Sequence, residues 1–198
     1  MKRFLILAFL SLFFASCASV NREDKRFAPV YVTNTSKFMV LPTSSMVGSV
    51  DSVEQMRATF GKGDKKEAFE CQVYVISDSS QLAMTILSEF GTTLGSLFYD
   101  GNSVDLDCAF FPSQLKAEYI VADFQFCLYD ENVIKSELAK IGVDFNVEHS
   151  GDEEIRTLSS KGKLISKITK TYNQEKLQAL KYENFLRGYT YNLSGIQD

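Results

Sequence analysis

Short alternating runs dominate the pattern of apolar and polar positions in this chain. The clearest run is Glu67–Ser77, which places Phe69, Cys71, Val73 and Val75 on one face and polar residues on the other. Alternation with a period of two is typical of a β-strand that buries one face. Similar runs recur along the chain, so the pattern predicts about ten short antiparallel strands.

The middle of the chain combines a hairpin with two helices. Leu94–Tyr99 and Ser103–Cys108 are predicted strands, and Asp100-Gly101 is the dipeptide that best tolerates the tight turn between them. Tyr119–Tyr129 then carries apolar residues at three- and four-residue spacing, which predicts a helix. Asp130 is a suitable N-cap for a second helix.

These elements predict a mainly β protein with helices, of the α+β class. An antiparallel sheet with one apolar face needs a cover, and the pattern offers only the helices between Tyr119 and Ile141. The expected architecture is a strongly curved antiparallel sheet, or incomplete β-barrel, covered by a helical lid. Periodicity leaves two arrangements open: the helices pack flush on the sheet, or they stand off and leave an apolar cavity.

The beginning of the chain has the pattern of an export signal. Lys2 and Arg3 precede the apolar run Phe4–Phe14, and the small residues before Cys17 resemble a bacterial lipobox. Residues 1–16 are therefore predicted to be a lipoprotein signal peptide, with Cys17 lipidated and residues 17–26 serving as a polar tether. The alternative is an ordinary cleaved signal peptide in which Cys17 is incidental.

Charge and the residue after Cys17 bear on location. The chain has 21 basic and 25 acidic residues, and removing Lys2 and Arg3 with the leader leaves a net charge of −6. An acidic chain has no electrostatic reason to bind nucleic acid, so the lipid must provide the membrane attachment. Ala18 differs from the Asp that resembles an inner-membrane retention signal, which favours the periplasmic face of the outer membrane. Residues 27–198 are expected to form one domain.

The sequence offers little for catalysis or metal binding. His149 is the single histidine, and it stands beside Ser150-Gly151 in a predicted turn. Without a base and an orienting group near a nucleophile, we expect no enzyme, no cofactor and no metal site. Cys71, Cys108 and Cys127 favour free thiols that act as small apolar groups, although an exported protein could pair two of them.

Several short motifs occur in order along the chain. They are Leu41-Pro42, Phe69, Phe90-Gly91, Leu97–Gly101, Val121–Gln125, Asn184 and Gly188-Tyr189. This ordered set resembles a family of small bacterial lipoproteins of unknown function, the DUF3261 type, which is similar in fold to the LolA/LolB lipoprotein carriers. The family usually continues its helix into Leu-Trp-Pro where this chain has Leu128-Tyr129-Asp130. The resemblance implies a half-barrel with a helical lid and a hydrophobic cavity for a lipid, a polyene-like acyl product or the acyl chain of a lipoprotein.

The cavity hypothesis assigns the concave face of the sheet and the facing side of the helix to the site. Its predicted residues are Phe69, Cys71, Val73, Leu82, Met84, Ile86, Leu97, Tyr99, Ile120, Phe124 and Leu128. The plainer interpretation is that they form an ordinary core. In that case the protein is a non-catalytic structural or adaptor lipoprotein that binds an envelope protein through its sheet edges and has no ligand cavity.

Overall fold

The structure is a computed structural model that describes residues 28–61, 63, 66–108 and 116–195. The predicted leader, the predicted lipidation site Cys17 and the predicted polar tether lie outside the described residues.

Ten of the twelve described strands form one antiparallel sheet. The other two are short and pair with each other, separately from this sheet. The elements are β1 (Val30–Tyr31), β2 (Lys37–Phe38), a 3-10 turn (Thr43–Ser45), β3 (Val50–Phe60), β4 (Glu67–Ser77), β5 (Leu82–Leu87), β6 (Thr93–Tyr99), β7 (Val104–Cys108), α1 (Ala117–Leu128), α2 (Glu131–Ala139), β8 (Asp144–Ser150), β9 (Glu153–Ser160), β10 (Lys163–Asn173), β11 (Lys176–Asn184) and β12 (Tyr189–Gly195).

The strand order of the large sheet is β7-β6-β5-β4-β3-β12-β11-β10-β9-β8. Strands β3 and β12 are the first and last strands of this sheet in chain order, and they pair in its middle, with Phe60 opposite Tyr189. Among the described strands, β7 and β8 are the two edges, so the curved sheet is not closed into a barrel. A mainly β fold with a large curved antiparallel sheet and two helices is therefore confirmed.

The alternation predicted for β4 is present in the structure. Cys71, Val73 and Val75 are buried, and the intervening residues are more exposed. In the register with β3, Met56 lies opposite Cys71 and Glu54 opposite Val73. Residues 50, 52, 54 and 56 of β3 therefore share the inward face with the apolar residues of β4.

Helix α1 is buried on all sides along its second half, because it is covered from both directions. Residues 121–127 are all buried. One side of the helix faces the sheet, and the other meets the segment that carries β1 and β2. The rings of Phe126 and Phe38 lie 4.9 Å apart. Gln125 accepts a hydrogen bond from the Leu41 N–H at 2.9 Å and donates one to the Leu41 carbonyl at 2.7 Å.

Helix α2 follows directly and begins where it was expected to begin. The Asp130 carboxylate accepts hydrogen bonds from the backbone N–H groups of Asn132 and Val133, which confirms its role as N-cap. The helix buries Ile134 and Leu138, and Gly142 beyond its end has a φ of 71°, a conformation that favours glycine.

A buried ionic cluster fastens the C-terminal end of α1 to the sheet. Arg156 donates hydrogen bonds to the carbonyls of Phe126 at 3.2 Å and Tyr129 at 2.8 Å. Glu154 pairs with Arg156 and with Lys170, whose Nζ lies 2.9 Å from Glu154 Oε1. Burial alone would raise the pKa of Glu154, but the hydrogen bonds from Lys170 and Arg156 outweigh it and hold that pKa at about 2. The Arg156 cation lies at the carbonyl end of the helix, where it also interacts favourably with the helix dipole.

Candidate functional site

An apolar cavity of about 150 Å³ lies between the inward face of the sheet and helix α1. Both layers contribute to its wall, so the helix does not pack flush on the sheet along this stretch. The lining residues are Val50, Ser52, Glu54, Met56, Val73, Val75, Met84, Ile86, Leu97, Ile120, Asp123, Phe124, Cys127, Leu128, Leu177, Gln178, Ala179, Leu180, Tyr182, Tyr191 and Leu193.

Seven of the eleven residues that the sequence assigns to a cavity are in this wall. They are Val73, Met84, Ile86, Leu97, Ile120, Phe124 and Leu128. The structure places the other four, Phe69, Cys71, Leu82 and Tyr99, in the core beside the cavity. Tyr99 is held there because its hydroxyl donates to the Leu41 carbonyl at 2.7 Å.

The residues that line the cavity extend along much of β3. Its wall follows β3 from Val50 to Met56, which spans about 20 Å at ~3.3 Å per residue. Leu177, at the start of β11, is 38% exposed, and Val50, Ser52 and Gln178 beside it are partly exposed. The cavity therefore approaches the protein surface at this end. The cavity and this wall form an apolar channel, and the length of the channel matches an extended hydrocarbon chain better than a compact ligand.

Burial gives one wall residue, Asp123 of α1, unusual electrostatics. It is 5% exposed, and its Oδ2 accepts a hydrogen bond from the Tyr189 hydroxyl at 2.6 Å. Burial raises the pKa of Asp123 to about 7, although hydrogen bonds from Tyr189 and Tyr182 and the charge of Arg187 act in the opposite direction. The carboxyl group is thus held by tyrosine hydroxyls at the sheet side of the helix.

Three aromatic rings and an amide complete this polar cluster. Asn184 Nδ2 donates to the Tyr189 hydroxyl at 3.1 Å and to the Tyr182 hydroxyl at 3.3 Å. The Tyr191 ring stacks on that of Tyr182, with centroids 6.1 Å apart and the planes 17° from parallel. The Tyr191 hydroxyl is buried and has no hydrogen-bond partner among the described residues. We call Asp123, Tyr182, Tyr189, Tyr191 and Asn184 the tyrosine cluster.

A second acid, Glu54, lines the cavity on the β3 side. It lies opposite Val73 and is partly exposed. Burial raises the pKa of Glu54, and a hydrogen bond with Ser52 opposes that effect. Of the described residues that line the cavity, none is Lys, Arg or His. The wall therefore contains two carboxyl groups and no cation.

Sequence reasoning did not assign Asp123, Tyr191 or Glu54 to the site, although two signals were present. Asp123 interrupts the apolar stripe of a helix and belongs to the motif Val121–Gln125, and Tyr189 belongs to another motif. The structure brings these motifs together: Asp123 bonds Tyr189, and Gln125 bonds Leu41. Glu54 carried no such signal, because β3 alternates only weakly.

The remaining candidate chemistry is sparse in the part of the chain that the structure describes. Cys71, Cys108 and Cys127 are free thiols. Within residues 28–61, 63, 66–108 and 116–195, no three His, Cys, Asp or Glu side chains are arranged to hold a metal ion. None of the described helices has the length and apolar character needed to cross a membrane.

The family model "Protein of unknown function (DUF3261)" matches residues 51–196. This match covers most of the chain, so the protein belongs to that family. No curated protein is similar enough in sequence to count as a match.

Two solved structures share a general similarity with the chain. One is a LolA superfamily protein from Nitrosomonas europaea, with 8% identity, a TM-score of 0.40, and coverage of 79% of this chain and 90% of that chain. The other is a putative outer membrane lipoprotein-sorting protein domain from Vibrio parahaemolyticus, with 11% identity, a TM-score of 0.36, and coverage of 78% and 86%. Both TM-scores are below 0.5.

Proposed function

We propose that this protein is a non-catalytic lipoprotein that binds or transfers a lipid, a polyene-like acyl product or a lipoprotein acyl chain in the cavity under α1. The observation that supports this proposal is the long apolar channel between the sheet and the helix. An acyl chain that enters it gains ~25 cal/mol for each Å² of apolar surface removed from water, and it needs no directional contacts.

The size of the cavity indicates how binding would proceed. At about 150 Å³ it holds a small apolar group, whereas sites for whole small-molecule ligands are typically ~300–1,000 Å³. Binding of a complete acyl chain therefore requires α1 to move away from the sheet, as a lid does. Arg156 holds the C-terminal end of the helix through the carbonyls of Phe126 and Tyr129. At the other end, Lys116 makes no side-chain cap bond, and the first turn is held by partly exposed contacts, from the Ala28 N–H to Glu118 at 3.3 Å and from Arg187 over the Tyr119 ring at 4.3 Å. These contacts are weaker than the buried ones of Arg156, so we infer that the N-terminal end moves.

In this mechanism the incoming chain displaces the lid and occupies the space between the layers. Release follows when an acceptor offers a competing apolar surface, because a ligand shifts such an equilibrium only through its differential affinity. A lipid on Cys17 would hold the protein at the periplasmic face of the outer membrane, close to amphiphilic donors and acceptors. Transfer of this kind uses no cofactor and no metal.

The second candidate is the adaptor function, which the open sheet favours. Strands β7 and β8 are its two edges among the described strands, and an exposed edge can pair with a strand from another protein. An adaptor of this kind would not depend on the apolar character of the cavity wall. Changing that wall therefore distinguishes the two functions.

The test is uptake of the fluorescent apolar probe N-phenyl-1-naphthylamine by a chain that begins at Ala18. All described elements and core residues lie between Val30 and Gly195, so this chain retains the whole described fold. We expect saturable binding that Met84→Glu reduces at least tenfold, because the variant places a charge in the cavity wall. Met39→Glu is the matched control, since Met39 is 43% exposed and lies outside the wall.

Circular dichroism would establish that both variants are folded. Equal probe binding by folded Met84→Glu and Met39→Glu would contradict the proposal and favour the adaptor. Native mass spectrometry of the chain purified from its exporting host would then identify the ligand class, through lipid-mass adducts that disappear on denaturation.

A further inference from the structure

We propose that the cavity selects amphiphiles with a small uncharged oxygen group, which accepts a hydrogen bond from the Tyr191 hydroxyl, and that it discriminates against free carboxylates. This inference rests on the acyl-binding function proposed above and specifies the class of ligand. Suitable compounds are fatty alcohols and simple fatty esters.

The first support is the unused donor of Tyr191. Tyr191 lines the cavity, and its hydroxyl is buried on the side of Asp123 and Cys127 of α1, with no partner among the described residues. Movement of α1 away from the sheet would uncover this hydroxyl. Buried polar groups in native proteins are nearly always paired, so an unpaired one beside a cavity indicates a partner that the protein chain does not supply. The neighbouring hydroxyls of Tyr182 and Tyr189 do not share this property, because both are bonded within the tyrosine cluster.

The second support is the sign of the charges around the channel. Asp123 and Glu54 are in the wall, and none of the described wall residues is a cation. The buried cations Arg156 and Lys170 are paired with Glu154 and do not line the cavity. The charge of Arg187 acts on Asp123 from outside the wall. A ligand carboxylate would therefore be desolvated beside two acids with no cation in contact with it, which is strongly unfavourable.

The third support is the position of Tyr191 in the channel. Tyr191 pairs with Tyr182 on β11, and Leu177, where the cavity approaches the surface, lies about 16 Å away along that strand. A ligand that reaches Tyr191 buries its oxygen at the inner end and extends its chain towards Leu177. Only a small head group can occupy that position, so a phosphate or a glycerol phosphodiester is excluded by size and by charge.

The experiment compares three C12 compounds as competitors of bound N-phenyl-1-naphthylamine at pH 8, on the chain that begins at Ala18. The compounds are 1-dodecanol, methyl laurate and sodium laurate. We expect dodecanol and methyl laurate to displace the probe at concentrations at least tenfold below laurate. The charged head group of laurate is strongly hydrated, which lowers its affinity for any apolar cavity. The decisive comparison is therefore between variants of the protein.

Tyr191→Phe should lower the affinity for dodecanol and methyl laurate about threefold to tenfold more than it lowers the affinity for the probe, because ligands with an oxygen group lose one hydrogen bond while the ring remains. Tyr99→Phe is the matched control, since it removes a hydroxyl outside the wall, and it should not alter the ranking. Glu54→Gln should raise the affinity for laurate relative to that for dodecanol, because it removes one acid from the channel.

If Tyr191→Phe weakens dodecanol no more than it weakens the probe, or if laurate competes as well as dodecanol, this inference is wrong while the acyl-binding proposal stands. If the probe does not bind at all, or if Met84→Glu binds it normally, the acyl-binding proposal fails and this inference fails with it. The two failures are thus separable.

Discussion

Two buried polar clusters contact helix α1, and they differ in how completely they are satisfied. In the ionic cluster, Glu154 is paired with Arg156 and Lys170, and Arg156 also donates to two helix carbonyls. In the tyrosine cluster, Asp123 has hydroxyl partners but no ion-pair partner, and the Tyr191 hydroxyl has none among the described residues.

This difference indicates which cluster holds α1 in place and which one can accept a bond from a ligand. A buried charge set that satisfies all its members holds its elements in one arrangement, because moving any member leaves an unpaired charge. A set with a spare donor can gain a partner without losing one. We therefore propose that the ionic cluster attaches α1 to the sheet, and that the members of the tyrosine cluster in the cavity wall, Asp123, Tyr182 and Tyr191, are the ones that meet a ligand.

The largest expected effect comes from breaking the ionic cluster. Arg156→Ala should reduce the free energy of unfolding by about 3–5 kcal/mol, because it removes one of the two cations paired with Glu154 and leaves the carbonyls of Phe126 and Tyr129 without their buried donor. Chemical denaturation of the chain that begins at Ala18 measures this.

Arg57→Ala is the control for that change. Arg57 pairs with Glu70 at 3.3 Å, but both side chains are 61% exposed, so the loss should be below about 1 kcal/mol. Similar losses for Arg156→Ala and Arg57→Ala would contradict the interpretation of the ionic cluster as an attachment.

The next effect is on the pH dependence of stability, which should have opposite signs for the two clusters. The pKa of Asp123 is raised in the folded state from 3.8 to about 7, so between these values the folded chain binds more protons than the unfolded chain. Stability should therefore fall as pH rises from about 4 to 7, by at most ~4 kcal/mol at ~1.4 kcal/mol per pKa unit. Asp123→Asn should remove this decrease.

Glu154 acts in the other direction. Its pKa is lowered from 4.5 to about 2, so its contribution is present above pH 4.5 and is lost as pH falls towards 2. Denaturation midpoints measured from pH 3 to pH 8 would show both the decrease in stability between pH 4 and 7 and the loss of stability below pH 4.5. A stability that is flat between pH 4 and 7, in both the parent chain and Asp123→Asn, would contradict the assignment of an uncompensated acid to the cavity wall.

The smallest effect comes from comparing two tyrosine hydroxyls of the same cluster. Tyr189→Phe should reduce the free energy of unfolding by about 1–3 kcal/mol, because it removes the 2.6 Å hydrogen bond to Asp123. Tyr191→Phe should change it by less than about 0.5 kcal/mol, because its hydroxyl has no partner to lose among the described residues. Equal losses in the two variants would show that Tyr191 is bonded within the free protein.

The sequence by itself determined where the strands and helices are, which side of most strands is buried, and that Asp130 caps α2. These properties are local, because the alternation of side chains along a strand and the cap of a helix depend on neighbouring residues. For the same reason seven cavity residues, such as Val73, Met84 and Phe124, could be assigned from periodicity together with the family resemblance.

Only the tertiary structure decided which apolar residues face open space and which face other side chains. Cys71 and Val73 are equivalent in pattern, yet Val73 lines the cavity and Cys71 does not. The tyrosine cluster likewise depends on α1 lying over β11 and β12, and on β12 pairing with β3 across the length of the chain. Strand order and the height of a helix above a sheet arise from contacts between distant residues, so a pattern of neighbouring positions does not contain them.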